Sequence, residues 1–252
     1  MLHHSNPQRT AEDFFRGILN EDEANAAYRD KFEKNGFFVA ESFFDEDEIN
    51  VYREIVENFY NARKIKNIAG GKCVPGWVGK FEELKKLSDI VSDTRISKLL
   101  TNAVFGSRKW RFLGHSDLHQ DKISPWHRDD QDLKRGINQK YKNLSIKDSE
   151  CLIVKMCFFL QDHHNNEHGL WMQPNSQLKK TKEEYIASKK TDVIVFDQRL
   201  AHRGQMSQYR KKTGKHRYLI TLAFGLDNEH GKAHELGADI RQTKQIKMVL
   251  KR

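Results

Sequence analysis

The stretch Ser124-Pro125-Trp126-His127-Arg128-Asp129-Asp130 sets an imidazole and a carboxylate two residues apart, and His202 follows far downstream. On a strand, residues two apart face the same side, so His127 and Asp129 can grip one metal ion together. His202, on a second strand across a barrel, would complete the set. Two imidazoles and one carboxylate on one face leave coordination positions open, the arrangement of non-haem Fe(II) oxygenases.

The spacing alone is weak evidence, because His115/Asp117 and His119/Asp121 repeat it. The pair His127/Asp129 is preferred because Pro125 stiffens its approach and Trp126 supplies an aromatic wall. Asp117 and His119 are read as hydrogen-bonding groups at a barrel rim. His202 follows the apolar run Val193-Ile194-Val195-Phe196 and a turn at Asp197-Gln198, and Arg203-Gly204 comes directly after it. Its rivals His163, His164 and His168 crowd an Asn-rich loop without a strand to hold them rigid. A carboxylate co-substrate at such a metal wants a guanidinium, which binds carboxylate through two parallel hydrogen bonds. Arg217 opens the apolar run to Phe224 and is the first choice, ahead of Arg203 and Arg210. Trp126 and Trp171 are candidate stacking surfaces for a substrate ring, with barrel packing as their other role.

The elements that must position these groups change character along the chain. Glu21 to Lys34 has helical spacing and stops at Asn35-Gly36, a C-cap pair. Phe37 to Ala40 suits a buried strand, and Asp45-Glu46-Asp47-Glu48 opens a helix carrying Ile49, Tyr52, Ile55, Val56 and Phe59 on one face. Residues 69–76 read as a loop, and Ile96 to Val104 as a helix ending at Gly106. Strands are expected over 109–118, 124–129, 151–161, 169–173, 192–196 and 216–224. The run Cys151 to Leu160 suggests a strand covered on both faces. Segments 131–150 and 177–190 read as exposed loops or a short helix, and a basic tail helix ends the chain. Helices followed by strands indicate an α+β fold in one domain over 1–252. Helical support covers about 1–106, a β core about 107–226, and a tail about 227–252.

Composition bounds the function classes. The 252 residues carry 44 Lys and Arg against 35 Asp and Glu, a net charge of +9 that favours anionic partners. The lysines are scattered and no nucleic-acid motif is present, so a nucleic-acid partner is disfavoured. No apolar run reaches membrane-spanning length, and the first residues lack the core of a signal peptide. Three cysteines are too few and too scattered for a disulfide framework or a thiolate zinc site. A reduced, cytoplasmic compartment is expected. Nothing in the sequence fixes the oligomeric state.

Several segments together resemble the phytanoyl-CoA dioxygenase family of Fe(II)/2-oxoglutarate enzymes. Phe32 to Val39 with Phe43 to Ile49 resembles its opening strand and helix, and Ser124 to Asp129 its metal-binding Trp-His-x-Asp signature. Gly169 to Gln177 is similar to its Pro-Gly-Ser-His turn, with Asn175 and Gln177 as departures. Asp192 to Gly204 and His216 to Gly225 are similar to the strands carrying the distal histidine and the 2-oxoglutarate arginine. The resemblance implies a double-stranded β-helix, a cupin-like jelly-roll, flanked by N-terminal helices. Fe(II) would be held by His127, Asp129 and His202, and 2-oxoglutarate by Arg217, with O2 as oxidant and no catalytic group beyond the metal ligands. The implied reaction is hydroxylation of a small substrate, of anionic character on the charge argument, with release of succinate and CO2. Asp129 favours hydroxylation over halogenation, because related halogenases leave that position to halide. The rivals are a cupin-type metalloenzyme needing no 2-oxoglutarate and a basic, non-enzymatic binding module.

Overall fold

The computed structural model describes residues 21–68, 71–162, 169–204 and 213–250. Helix α1 (Glu21–Asn35) leads through Gly36, at φ 80°, into strand β1 (Phe37–Ala40). Helix α2 (Glu46–Ala62) starts where the Asp45 carboxylate accepts from the Glu48 amide at 2.7 Å, satisfying a donor that the first turn leaves free. Its buried face carries Ile49, Val56, Phe59 and Tyr60, and the Tyr60 hydroxyl donates to the Leu118 carbonyl at 2.7 Å.

Two strands follow, β2 (Asn67–Ile68) and β3 (Gly71–Pro75), the second of them in the segment expected to be a loop. Its glycines and proline weigh against strand in local propensity. The pairing of Lys72 to Pro75 with Gln120 to Asp117 overrides it, because that partner strand supplies a full ladder. Helix α3 (Thr94–Leu100) packs Ile96, Leu99 and Leu100 inward before β4 (Trp110–Gln120). Beyond it come α4 (Gln131–Gln139), β5 (Ile153–Phe159), β6 (Leu170–Met172), β7 (Glu184–Ile186), β8 (Val193–Asp197), β9 (His202–Gly204), β10 (Tyr218–Leu226) and α5 (Glu229–Val249). The described strands form an antiparallel seven-stranded sheet, β1-β8-β5-β10-β4-β3-β2, and a three-stranded sheet, β7-β6-β9. This is the jelly-roll expected from the sequence, with α1, α2 and α3 packed on one face of the large sheet.

Strand alternation sorts the side chains into two populations. Val154, Met156 and Phe158 of β5 and Ile220, Leu222 and Phe224 of β10 join the main core under the helices. The intervening positions look into the space between the sheets. Asp117 and His119 of β4, Lys155 and Cys157 of β5, and Leu219 and Thr221 of β10 all line one cavity there.

Segment 124–129 is not the expected strand: His127 forms a single antiparallel bridge with His202, each amide donating to the other's carbonyl at 2.9 Å. Of the two readings of 131–150, part takes the short helix, α4, and it is packed, with Leu133 and Gly136 buried. Likewise α5 is not a peripheral tail. Its small and polar residues Gly231, Ala233, His234, Gly237 and Ala238 are buried, and it packs against α4, β3 and β4. No helix among the described residues is long and apolar enough to cross a membrane.

The α4–α5 crossing is close because both helices offer glycine. A Cβ on Gly136 would lie 1.7 Å from the Ala233 carbonyl oxygen, and one on Gly237 would lie 1.8 Å from the Asp132 carbonyl oxygen. Neither neighbour is a flexible side-chain end, so backbone must move. Gly136→Ala is expected to destabilise the protein by about 3 kcal/mol, the upper range for overpacking. Urea unfolding checks this; an unchanged midpoint would contradict the crossing.

Candidate metal centre and anion pocket

Asp129 is the point on which the candidate ligands converge. Its Oδ1 lies 3.4 Å from His127 Nε2, and its Oδ2 lies 3.4 Å from His202 Nε2. The two rings face each other with centroids 4.3 Å apart. Backbone contacts fix all three residues although two of them leave regular structure: the bridge joins His127 to His202, and the Asp129 amide donates to the Gln198 carbonyl at 2.9 Å. His127 Nδ1 lies 2.7 Å from the Pro125 carbonyl and His202 Nδ1 lies 3.0 Å from the Leu200 carbonyl. A carbonyl only accepts, so each Nδ1 carries a proton and each ring turns its Nε2 toward Asp129. Such outer hydrogen bonds orient metal-ligating imidazoles.

The electrostatics agree. Burial would raise the Asp129 pKa, but Lys155, His202 and His127 together hold it well below the ordinary carboxylate range. Burial also opposes charge on His127, and the Asp129 carboxylate outweighs it, leaving that imidazole above its ordinary value. Sequence reasoning missed Lys155. Its Nζ lies 3.0 Å from Asp129 Oδ2, and the side chain is buried. Burial pushes the ammonium down, while Asp129 and Asp117 raise it above the ordinary lysine value. The signal was a single charge within an apolar run, on the parity that faces the lumen.

Arg217 reaches the same cavity, which measures about 90 Å3. Its amide donates to Asp121 Oδ1 at 2.9 Å, its Nη1 donates to the Lys122 carbonyl at 3.0 Å, and its guanidinium lies 4.8 Å from the Phe159 ring centre. Burial pushes its pKa down to about 10, with Asp121 opposing. Asp121, with φ 55°, also donates its amide to the Arg217 carbonyl at 2.8 Å, so the third His-x-Asp carboxylate anchors the arginine's backbone. Two buried polar atoms in the cavity lining, His119 Nδ1 and Thr221 Oγ1, have no hydrogen-bond partner among the described residues. Buried polar groups are rarely left so, and here they stand in a cavity lined by three cations, Lys122, Lys155 and Arg217, a setting suited to an oxygen-rich anion. The residues present therefore fit both a divalent metal and a dicarboxylate.

The other candidates fall elsewhere. Trp171 pairs with Arg203 across β6 and β9, while their neighbours Leu170, His202 and Gly204 line the cavity. Alternation thus turns Trp171 away from the lumen. The Arg203 guanidinium lies 5.3 Å from the Trp126 ring centre and 5.2 Å from that of Trp171, so it stacks on both indoles outside the cavity. Neither tryptophan lines the site, and Arg203 does not compete with Arg217. His163, His164, His168 and Arg210 lie outside the described residues.

Two further clusters contain metal-ligating residue types. Cys73 with Asp117 and His119 is unsuited, because burial pushes the Cys73 thiol up to about 12 and keeps it protonated. His115, Asp132 and His234 meet between β4, α4 and α5, but Arg241 already occupies that place. Its Nε lies 3.0 Å from Asp132 Oδ2, and its Nη2 lies 2.9 Å from His115 Nε2 and 3.3 Å from Asp117 Oδ2. His115 Nδ1 then donates toward His234 Nε2 at 3.0 Å. This is a charge-paired network that fastens α5 to the barrel.

No protein-family profile matches the chain, and no curated protein matches it. Solved structures do. SnoN, a non-heme alpha ketoglutarate dependent epimerase from nogalamycin biosynthesis, superimposes with a TM-score of 0.62 at 11% identity, over 81% of this chain and 83% of that one. HygX from Streptomyces hygroscopicus, with nickel and 2-oxoglutarate bound, gives 0.57 at 14% identity over 88% of each chain. AviO1 from Streptomyces viridochromogenes Tue57 gives 0.60 at 16% identity, over 81% of this chain and 95% of that one. The likeness is one of fold, that of jelly-roll 2-oxoglutarate enzymes.

The buried histidines make stability pH-dependent. Burial holds His115 and His119 below their ordinary value and takes His234 to about 3. Each is neutral in the folded chain, whereas the unfolded chain takes up a proton below about pH 6.5. Their stabilisation is present above that pH and is lost as pH falls, by up to about 1.4 kcal/mol per pH unit for each histidine. Asp117 and Asp132, both held low, add loss in the same direction below about pH 4. Urea unfolding should show a falling free energy from about pH 6.5 to about pH 5, with a smaller slope in His234→Gln. A flat profile in that range would contradict neutral burial.

Proposed function

We propose that this chain is a single-domain Fe(II)- and 2-oxoglutarate-dependent oxygenase acting on a small organic substrate. The observation that carries the proposal is the convergence of His127 Nε2, His202 Nε2 and the Asp129 carboxylate at the cavity that also receives Arg217. His127, Asp129 and His202 would hold the iron. When bound, iron and 2-oxoglutarate supply the oxidative chemistry, consuming O2, releasing succinate and CO2, and delivering an oxygen atom to a C–H bond.

The protein's own part is placement. The Pro125 and Leu200 carbonyls keep both imidazoles turned inward. Arg217 supplies the guanidinium for the far carboxylate of 2-oxoglutarate, held in place by Asp121 and the Phe159 ring. His119 Nδ1 and Thr221 Oγ1 offer further hydrogen bonds to a bound anion. The cavity lining carries Lys122, Lys155 and Arg217 against Asp117 and Asp129, which favours an anionic substrate once a divalent cation is added. A cytoplasmic site of action accords with three free, buried cysteines.

Hydroxylation is the favoured outcome. A second reading, inversion at a carbon centre, has support in the likeness to the epimerase SnoN. The two separate on the product, since hydroxylation adds the mass of one oxygen and epimerisation adds none.

Anaerobic addition of Fe(II) and 2-oxoglutarate is expected to give the weak visible charge-transfer band of the chelate. Air should then give slow succinate release without added substrate. His127→Ala should abolish the band, and Arg217→Ala should weaken 2-oxoglutarate binding by about 100-fold, as for loss of a buried charged hydrogen-bonding pair. A wild-type protein without the band contradicts the proposal. Full activity in Arg217→Ala favours a metalloenzyme that needs no 2-oxoglutarate. Salt-sensitive nucleic-acid binding without succinate formation favours a binding module.

A further inference from the structure

Lys155 is a charge where packing alone would place an apolar residue. It sits in the middle of β5, every residue of which is buried, and its cross-strand neighbours are Phe196 on β8 and Ala223 on β10. The residue is 5% exposed. Taking an ammonium out of water carries a large desolvation cost, and packing of the strand alone gives no reason to bear it. Among the described residues its ion-pair partner is Asp129, at 3.0 Å, and the oxygen it meets is Oδ2. Each carboxylate oxygen lies 3.4 Å from one candidate ligand, Oδ1 from His127 Nε2 and Oδ2 from His202 Nε2, and only Oδ2 is also engaged by the ammonium.

We infer that Lys155 is a positioning residue for the metal-binding carboxylate: its ammonium holds Asp129 Oδ2 and leaves Oδ1 as the single oxygen offered to a metal. The inference rests on the iron-binding reading of His127, Asp129 and His202. A carboxylate free to turn can donate both oxygens, and the second would fill a position that a facial arrangement keeps open. A fixed cation beside Oδ2 prevents that. The same cation repels a divalent ion, so it sets metal affinity below what the three ligands alone would give.

Co(II) binding to the full chain tests this without 2-oxoglutarate, substrate or turnover, because the visible absorption of Co(II) reports its coordination. Lys155→Met is expected to bind Co(II) about tenfold tighter or more, the direction set by removing a nearby like charge, and to show an altered Co(II) spectrum. Lys155→Arg should restore the wild-type spectrum. Lys155→Gln, which keeps a donor without the charge, should gain affinity with a spectrum close to wild type, and it stands in if the methionine variant does not fold. The inference is overturned if folded Lys155→Met has the wild-type spectrum and affinity, or if either neutral variant binds Co(II) more weakly. A wild-type protein that binds no Co(II), or binding that survives His127→Ala, overturns the iron-binding reading and the role of Lys155 with it.

Discussion

A barrel lumen that buries Asp117, Lys155 and Arg217 and half-buries Asp129 can persist only if each charge is compensated within it. The Asp129–Lys155 pair is the hinge of that compensation. Removing one partner from a buried pair leaves an uncompensated charge and costs far more than the pair contributes. From this pair the charges run outward. Asp117 looks into the cavity from β4 and is balanced by Arg241 of α5, which also holds Asp132 of α4. The last helix is thus part of the electrostatic frame of the site. The glycines at its crossing with α4 let the backbones come close enough for these contacts.

The same frame explains why one of three similar clusters is open to a metal. Around His127, Asp129 and His202, both imidazoles are tied by Nδ1 to carbonyls and present their other nitrogen to the carboxylate. Around His115, Asp132 and His234, a guanidinium supplies the positive charge and donates to an imidazole nitrogen. Around Cys73, burial keeps the thiol protonated. Residue types are alike in the three places, and the hydrogen-bond partners of each group decide what it can hold.

The sequence reading picked out the candidate ligands by an argument that was only partly right. His127 and Asp129 do share a side, but a two-residue bridge and a loop hold them, not a strand. Pairing between His127 and His202 joins residues 75 positions apart, and no local pattern records it. Arg217 was legible because an arginine opening an apolar strand has few other reasons to be there. Lys155 and Thr221 were not singled out, and His119 was read only as a hydrogen-bonding group at the rim, since facing direction inside a strand covered on both sides depends on register with its neighbours. The packing of helices α4 and α5 was hidden for a related reason. Their contact faces are made of glycine, alanine, histidine and paired carboxylates rather than large apolar residues. The indoles of Trp126 and Trp171 misled because a large aromatic near a ligand reads as a pocket wall, whereas alternation on β6 and the stacked Arg203 put them outside it.

The central claim is one of place: a single divalent metal belongs between His127, Asp129 and His202. Anomalous diffraction at the manganese edge, from crystals soaked anaerobically in Mn(II), reads that directly. The account predicts one strong peak within bonding distance of the two Nε2 atoms and one Asp129 oxygen, with none at His115, Asp132 and His234. A peak at the second cluster instead, or no peak at the first, would contradict it.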